Sequence, residues 1–290
     1  MKLKYINKIK ANLSIFSSKK TTNILEGTYK SVYKGKSMNF ENLREYVVND
    51  DVKDIDWKSS ARSGTLLVKQ FVAEKKHNIL FIMDSGIKMG ADTDKHESKK
   101  EIALYTAGTL GYVAIKNGDY IGMMYSNKEK MEYKPFKYNL YNLESYLSEY
   151  DNNATMEGAN INELLNNTYE HFTKRMIVIV ITDLDGLECV EDSTLKKISK
   201  IYDVVFININ DNYMFGDNVF DVNDGLYVPD ILLEDKELND VEIKLKEELY
   251  NKHKDRLKKN NISIVSISSE KEINNKIIEL LEEHRYASNK

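Results

Sequence analysis

Five apolar residues in a row, Ile79, Leu80, Phe81, Ile82 and Met83, stand between the polar pair His77–Asn78 and the turn-forming Asp84–Ser85–Gly86. A short, unbroken apolar run closed by a turn signal predicts a strand buried on both faces. Burial on both faces requires a helical layer on each side of a sheet. Comparable runs at 176–181, 204–209 and 262–267 predict further buried strands, and 120–125 predicts another. Residues 129–136 predict a neighbouring edge strand, because the link from 125 is too short for a crossover. Helical periodicity occupies 95–116, 138–150, 161–172, 195–201, 240–259 and 271–284, while 211–229 reads as irregular, with a hairpin around Asp224–Gly225. Strands alternating with helices in this way predict an α/β fold with a doubly wound, mainly parallel sheet.

The first quarter of the chain has a different texture. In residues 1–20, Leu3, Ile6, Ile9 and Leu13 fall at helical spacing among six lysines and no acid, which predicts a short basic amphipathic helix. Its narrow apolar face favours docking on the body of the protein over an anionic membrane surface. Residues 21–76 are punctuated by Gly27, Gly35 and Gly64 and read as a small β-rich layer. Strand-like alternation at 30–33 and 66–72 supports this, together with a turn at Asn49–Asp50–Asp51 and a helical turn near 40–46. The α/β domain then spans 77–286.

Charge changes this picture only in part. The net charge of -4 divides into +8 over residues 1–76 and -12 over the remainder. The favoured reading is attraction between the two parts within one fold, with a nucleic-acid or membrane-surface binder using the basic segment as an alternative. Stacking on nucleic acid is poorly served, since residues 1–20 hold only Tyr5 and Phe16 as aromatics. No apolar run is long enough to span a bilayer, the first residues do not read as a signal peptide, and a cytoplasmic setting is expected. The single cysteine, Cys189, excludes an internal disulfide, and the five histidines fall in no zinc-binding spacing.

Candidate chemistry gathers at strand ends. Asp84 closes the 79–83 strand, and Thr182–Asp183 closes the 176–181 strand. In open α/β sheets ligands bind at the carboxyl ends of the strands. A metal-dependent nuclease or phosphatase would use Asp84, Asp183 and Asp185 with Asp92 or Asp94. Other enzyme signatures are missing. Gly35–Lys36–Ser37 lacks the earlier glycine of a phosphate loop, where Lys30 stands. Gly86 occupies the place of a phosphatase general acid, and no serine has a histidine at a telling spacing.

One ordered set of residues is more specific. It comprises Gly35, Phe40, Leu43–Arg44–Glu45–Tyr46, Asp50–Asp51–Val52, Ile55–Asp56–Trp57, Ser60–Ala61–Arg62, Gly64, Val68–Lys69–Gln70–Phe71 and Glu74. It resembles the signature of the domain of unknown function 58 family, in which it precedes a von Willebrand factor type A-like domain. The resemblance extends over roughly 25–286 and includes the arginine near the end of the last helix, Arg285. Ser37, Asn39 and Asn49 depart from the family's glycine, glutamate and glycine, which bears on loop shape. Read physically, Arg44, Asp51, Asp56, Arg62 and Glu74 alternate in sign among Tyr46, Ile55, Trp57 and Phe71. Such a set predicts charge pairs that latch the β layer onto the sheet, with a partner-docking face as the alternative.

The resemblance also implies a place for a divalent cation and a partner. Type A domains hold the ion with an Asp-x-Ser-x-Ser loop, a threonine and a second aspartate, the oxygen donors a hard cation needs. Asp84 and Asp183 match the two acids, with Ser85 between Asp84 and the first serine position. The serine positions hold Gly86 and Lys88, and the threonine position falls near Ala159, with Thr155 close by. A degenerate metal-ion-dependent adhesion site is therefore expected, with no metal or other cofactor and with Lys88 lying across Asp84 or Asp183 in its stead. The implied partner is a MoxR-type AAA+ ATPase, for which the chain would be a non-enzymatic adaptor in a chaperone-like assembly or maturation system. No nucleic-acid partner is expected.

Overall fold

A computed structural model describes residues 3–15, 19–34, 42–48, 50–70, 76–127, 130–154, 160–212, 220–221, 226–227 and 236–288. Its centre is a six-stranded sheet of β3 (Asn78–Met83), β4 (Tyr120–Asn127), β5 (Lys130–Lys137), β6 (Ile177–Thr182), β7 (Asp203–Ile209) and β10 (Ser263–Ile267). The spatial order is β10-β7-β6-β3-β4-β5, all parallel except β5, which pairs antiparallel with β4 at the edge. The chain winds from β3 toward one edge and from β6 toward the other. This is a doubly wound sheet whose direction reverses between β3 and β6.

The two faces of the strands explain the unbroken apolar runs. Ile79, Phe81 and Met83 point into one core, which they share with Ile177, Ile179 and Ile181. Leu80 and Ile82 point into the other, with Val178 and Val180. The first core is closed by α1 (Lys4–Ile15), α2 (Lys19–Tyr29), α4 (Lys99–Lys116), α5 (Leu140–Asn153) and α10 (Ile273–Ser288). The second is closed by α6 (Ile161–His171), α7 (Leu184–Cys189), α8 (Asp192–Ile201) and α9 (Lys236–Lys258).

Helix α4 is the pivot of the first layer. Every residue from Ile102 to Ile115 is buried, as expected of a helix covered by the sheet on one side and by other helices on the other. Two glycines let the outer helices approach. At Gly108 an added Cβ would stand 2.3 Å from Ile9 of α1, so the small residue sets how closely α1 packs. Tyr5, Ile6, Ile9 and Leu13 form the buried side of α1. The Glu144 carboxylate of α5 accepts from the first free amides of α1, Tyr5 N–H at 3.0 Å and Ile6 N–H at 2.9 Å. Lys8 pairs with Glu270 at 3.4 Å and lies over the Tyr105 ring. The basic segment thus lies against the body of the protein.

Residues 21–76 differ from the expected β-rich layer. Residues 19–29 are helix α2, and Lys30–Lys34 form a π-helical turn rather than a strand. Leu25, Tyr29 and Tyr33 are spaced by four, so one helical face carries all three against the core, and a four-residue alternation does not outweigh that burial. The helical turn expected near 40–46 is instead β1 (Asn42–Glu45), paired antiparallel with β2 (Leu67–Gln70). Between them lie a 3-10 turn, Val52–Asp54, and α3 (Trp57–Ser63). Helix α4 begins at Lys99 rather than 95, because His96 turns into the left-handed region (φ 57°) and Ser98 is the N-cap. Helix α7 was not legible as a helix. The expected hairpin near Asp224–Gly225 is flanked by β8 (Phe220–Asp221) and β9 (Leu226–Tyr227), which pair antiparallel, while 224 and 225 lie outside the described residues.

Candidate functional site

Asp84 and Asp183 follow adjacent strands, β3 and β6, at the point where the winding reverses. Both are buried, at 3% and 2% exposure. Asp84 Oδ1 accepts from Gly86 N–H at 2.7 Å, and Oδ2 accepts the Thr182 hydroxyl. Its backbone carbonyl accepts from Tyr150 Oη at 2.5 Å, and Ser85 Oγ donates to the Ser126 carbonyl at 2.6 Å. Both hydrogen bonds tie the β3 loop to α5 and β4. Burial disfavours the charged form of Asp84, and the nearby Asp183 charge adds to this, so its pKa is raised to about 7. Asp183 is the N-cap of α7 and its Oδ1 accepts from Gly186 N–H at 3.0 Å. Gly186 is required here, since a Cβ would stand 1.9 Å from Thr182 Oγ1 and 2.5 Å from Asp84 Oδ2.

The cation of this site is Lys99. Its ammonium, 0% exposed, lies 2.6 Å from Asp183 Oδ2 and also pairs with Asp211, which follows β7. Three neighbouring strands, β3, β6 and β7, therefore each deliver an acid to one buried cluster. The first residue of α4 delivers the counter-charge. Burial lowers the lysine's proton affinity, but the charges of Asp211 and Asp183 outweigh it and the net shift is upward. For Asp211 burial dominates and the pKa is raised.

Lys88 does not lie across the pocket. It forms a surface pair with Asp185, the two side chains 45% and 50% exposed. The reason is geometric: the 3-10 turn Ile87–Gly90 carries Lys88 outward toward the first turn of α7, while α4 starts directly over the strand ends. Sequence reasoning missed Lys99, Asp211 and the role of Thr182. A signal for Lys99 existed. Ser98 with Glu101 three residues on is an N-cap signal that puts Lys99 first in α4, although its burial against the acids is not written in the sequence. Ala159 and Thr155 lie outside the described residues.

Among the described residues the site does not fit a divalent cation. Gly86 offers no side-chain oxygen, both Asp84 oxygens already accept hydrogen bonds, and an ammonium occupies Asp183 Oδ2. Nor do the other acids converge: Asp185 turns to Lys88, and Asp94 lies beside Lys95 at 3.5 Å. Among the described residues no group of three or more His, Cys, Asp or Glu side chains is placed to hold a metal. The constellation for a metal-dependent nuclease or phosphatase is not assembled by these residues.

The signature residues form a unit of their own. Arg44 makes a two-pronged contact with Asp50, Nη1–Oδ2 and Nη2–Oδ1 each 2.6 Å, across the β1 turn. Asp51 caps the 3-10 turn through Lys53 N–H, and Asp56 caps α3 through Ser59 N–H and pairs with Lys69 at 3.9 Å. Ser60 Oγ donates to the Asp56 carbonyl and accepts from Leu67 N–H. Among the described residues these charges do not latch the unit onto the sheet. Asp50, Asp51 and Asp56 close contacts inside the unit, because each sits within a few residues of its donor or directly across the hairpin. Tyr46 N–H donates to Leu66 O at 2.8 Å. Arg62 and Trp57 are exposed, and Glu74 lies outside the described residues. Arg285 of α10 donates to Ser31 Oγ at 3.2 Å.

No helix among the described residues is long and apolar enough to cross a membrane. The profile of the family described as "Protein of unknown function DUF58" matches residues 42–215, a span that runs from β1 past Asp211. Among solved structures, the conserved hypothetical protein BatB from Bacteroides thetaiotaomicron is similar at 16% identity and a TM-score of 0.46, over 72% of this chain and 98% of its own. An aerotolerance-related membrane protein from Bacteroides fragilis is similar at 15% identity and a TM-score of 0.46, over 71% and 98%. A von Willebrand factor type A protein from Catenulispora acidiphila is similar at 9% identity and a TM-score of 0.41, over 73% and 43%. Among curated proteins none matches the chain significantly.

Proposed function

The chain belongs to the DUF58 family, and on that premise we propose that it is a non-catalytic protein-interaction module that engages a MoxR-type AAA+ ATPase at the carboxyl edge of its sheet. The observation that carries this reading is the Lys99–Asp183–Asp211 cluster. The edge where this architecture builds ligand sites holds a buried cation supplied by the chain itself. Such an edge suits recognition by a rigid surface more than turnover of a substrate. Above it lies the half-exposed Lys88–Asp185 pair. A partner carboxylate can displace Asp185 from Lys88, which gives the docking contact a charge without a metal. A cytoplasmic setting belongs to the same reading, because the ATPase draws on cytoplasmic ATP.

The test is co-purification with a MoxR-type ATPase encoded nearby, followed by binding kinetics at fixed salt. Lys88→Glu reverses the exposed charge and is expected to raise the dissociation rate roughly tenfold or more. Equal binding by wild type and Lys88→Glu would remove the edge from the contact. Failure of every nearby ATPase to bind in any nucleotide state would overturn the adaptor reading itself.

A further inference from the structure

One buried titratable side chain lies outside the carboxyl-edge cluster. His253 of α9 is 2% exposed, and among the described residues neither of its ring nitrogens has a hydrogen-bond partner. Burying an imidazole with both nitrogens unpaired costs stability that an apolar side chain would not lose. Leu257, four residues on and so on the same side of the helix, is 0% exposed and packs in the second core with Leu187, Val190, Ile262 and Ile264. His253 therefore sits in the seam where α9 meets α7 and β10.

The surroundings keep this ring neutral. Burial, and then the Arg256 charge, hold its pKa below the ordinary histidine value; Lys252 acts in the same direction and Glu188 of α7 opposes them. Strand β10 carries no titratable side chain. The same stretch of α9 clamps two other segments. Arg256 Nη2 donates to Leu187 O at 2.8 Å and to Val190 O at 2.9 Å, the carbonyls at the end of α7, and its Nε lies 3.5 Å from Asp192 of α8. Lys246 Nζ donates to Asn212 O at 2.6 Å. Asp183 begins α7 and Asp211 precedes Asn212, so α9 braces both segments whose acids pair with Lys99.

We propose that His253 is an acid-sensitive latch: a proton on its ring undocks the C-terminal half of α9 from α7 and β10 and loosens the segments that carry Asp183 and Asp211. The proton adds a third positive charge beside Arg256 and Lys252, at a place where neither ring nitrogen has an acceptor. The charged ring is solvated only by leaving the seam, toward the side of the exposed Glu188. Docking by the neutral ring is complete above the ordinary histidine value and is lost as pH falls from there to the lower folded value. Asp84 and Asp211 respond with the opposite sign, because their raised pKa values favour the folded state in acid. The latch is therefore read locally, at α9 and α7, rather than in global stability. This inference does not rest on the ATPase reading, which concerns Lys88 and the sheet edge.

Amide hydrogen exchange of the full chain, corrected for its intrinsic pH dependence, is compared between about pH 7.5 and about pH 5, the range in which histidine titrates. In the wild type, residues 246–258 and 184–190 should lose protection in acid, by up to roughly tenfold per pH unit, while β3 and β6 keep theirs. The His253 ring resonance should titrate over the same range. His253→Leu keeps an apolar contact and takes no proton, so its α9 and α7 should be equally protected at both pH values. His253→Gln makes the same test with a polar side chain that does not titrate. Unchanged protection of α9 and α7 in wild-type protein at low pH overturns the proposal. So does an acid response that persists in either variant, because another group then takes the proton. A ring that stays neutral while α9 opens, or a loss spread evenly over the sheet, overturns it as well.

Discussion

Lys99 Nζ stands 2.6 Å from Asp183 Oδ2, and neither side chain is more than 3% exposed. A buried pair of this kind is costly to break, because removing one partner leaves an uncompensated charge without water. Lys99→Met should destabilise the fold by about 3–5 kcal/mol. Denaturant unfolding measures this, with an unchanged slope showing that compactness is retained. Adding Asp183→Asn to Lys99→Met should cost less than the sum of the single changes, since the two side chains act as one unit.

The same pair sets the response to divalent ions. Millimolar Mg²⁺ added after chelation should leave the wild-type melting temperature unchanged, since a ligand stabilises only by binding the folded state. Lys99→Ala combined with Gly86→Ser and Lys88→Ser frees the Asp183 oxygen and restores hydroxyls. That variant should gain a saturable rise in melting temperature with Mg²⁺. A wild-type rise that disappears in Asp84→Ala would contradict the account.

Asp84 gives stability a pH dependence of definite sign. Its folded pKa, about 7, lies above the ordinary 3.8, because burial and then the Asp183 charge disfavour ionisation. The folded state keeps a proton that the unfolded chain has released. The associated stability is complete below the ordinary value and is lost as pH rises through about 7. Asp211, raised chiefly by burial, contributes with the same sign. Unfolding free energy should therefore fall between about pH 4 and pH 7, by no more than ~1.4 kcal/mol per pH unit for Asp84, whose contribution levels off above that window. Asp84→Asn should flatten that slope.

Glu144 ties the N-terminal helix to the body. It is 2% exposed and accepts from two amides at the start of α1. Glu144→Leu leaves those donors buried without acceptors, at a cost of about 1–3 kcal/mol. Hydrogen exchange should show the amides of α1 opening before those of β3 and β6. Equal protection across α1 and the sheet in the variant would mean that the apolar contacts of Ile6 and Ile9 hold the helix unaided.

Much of the candidate site was legible from local pattern. Asp84 and Asp183 each follow an unbroken apolar run, and a strand buried on both faces ends where polar residues resume. That the sheet is mainly parallel and doubly wound followed from strand–helix alternation, while the order of its strands came from the structure. The signature residues were legible as a set, but their pairing was not: Arg44 binds Asp50, which the alternation of charges had not singled out.

What the chain's pattern determined by itself is the double burial of the strands, their alternation with helices and the carboxylates at their ends. These depend on which residues are apolar within a window of a few positions. Only the tertiary structure decided which lysine neutralises those acids. Lys88 is four residues from Asp84 and Lys99 is 84 residues from Asp183, yet the nearer lysine turns to the surface and the distant one is buried. Sequence separation does not say where a helix begins relative to a strand end. That position is set by how α4 packs between the sheet and α1, α5 and α10, and the buried ammonium follows from it.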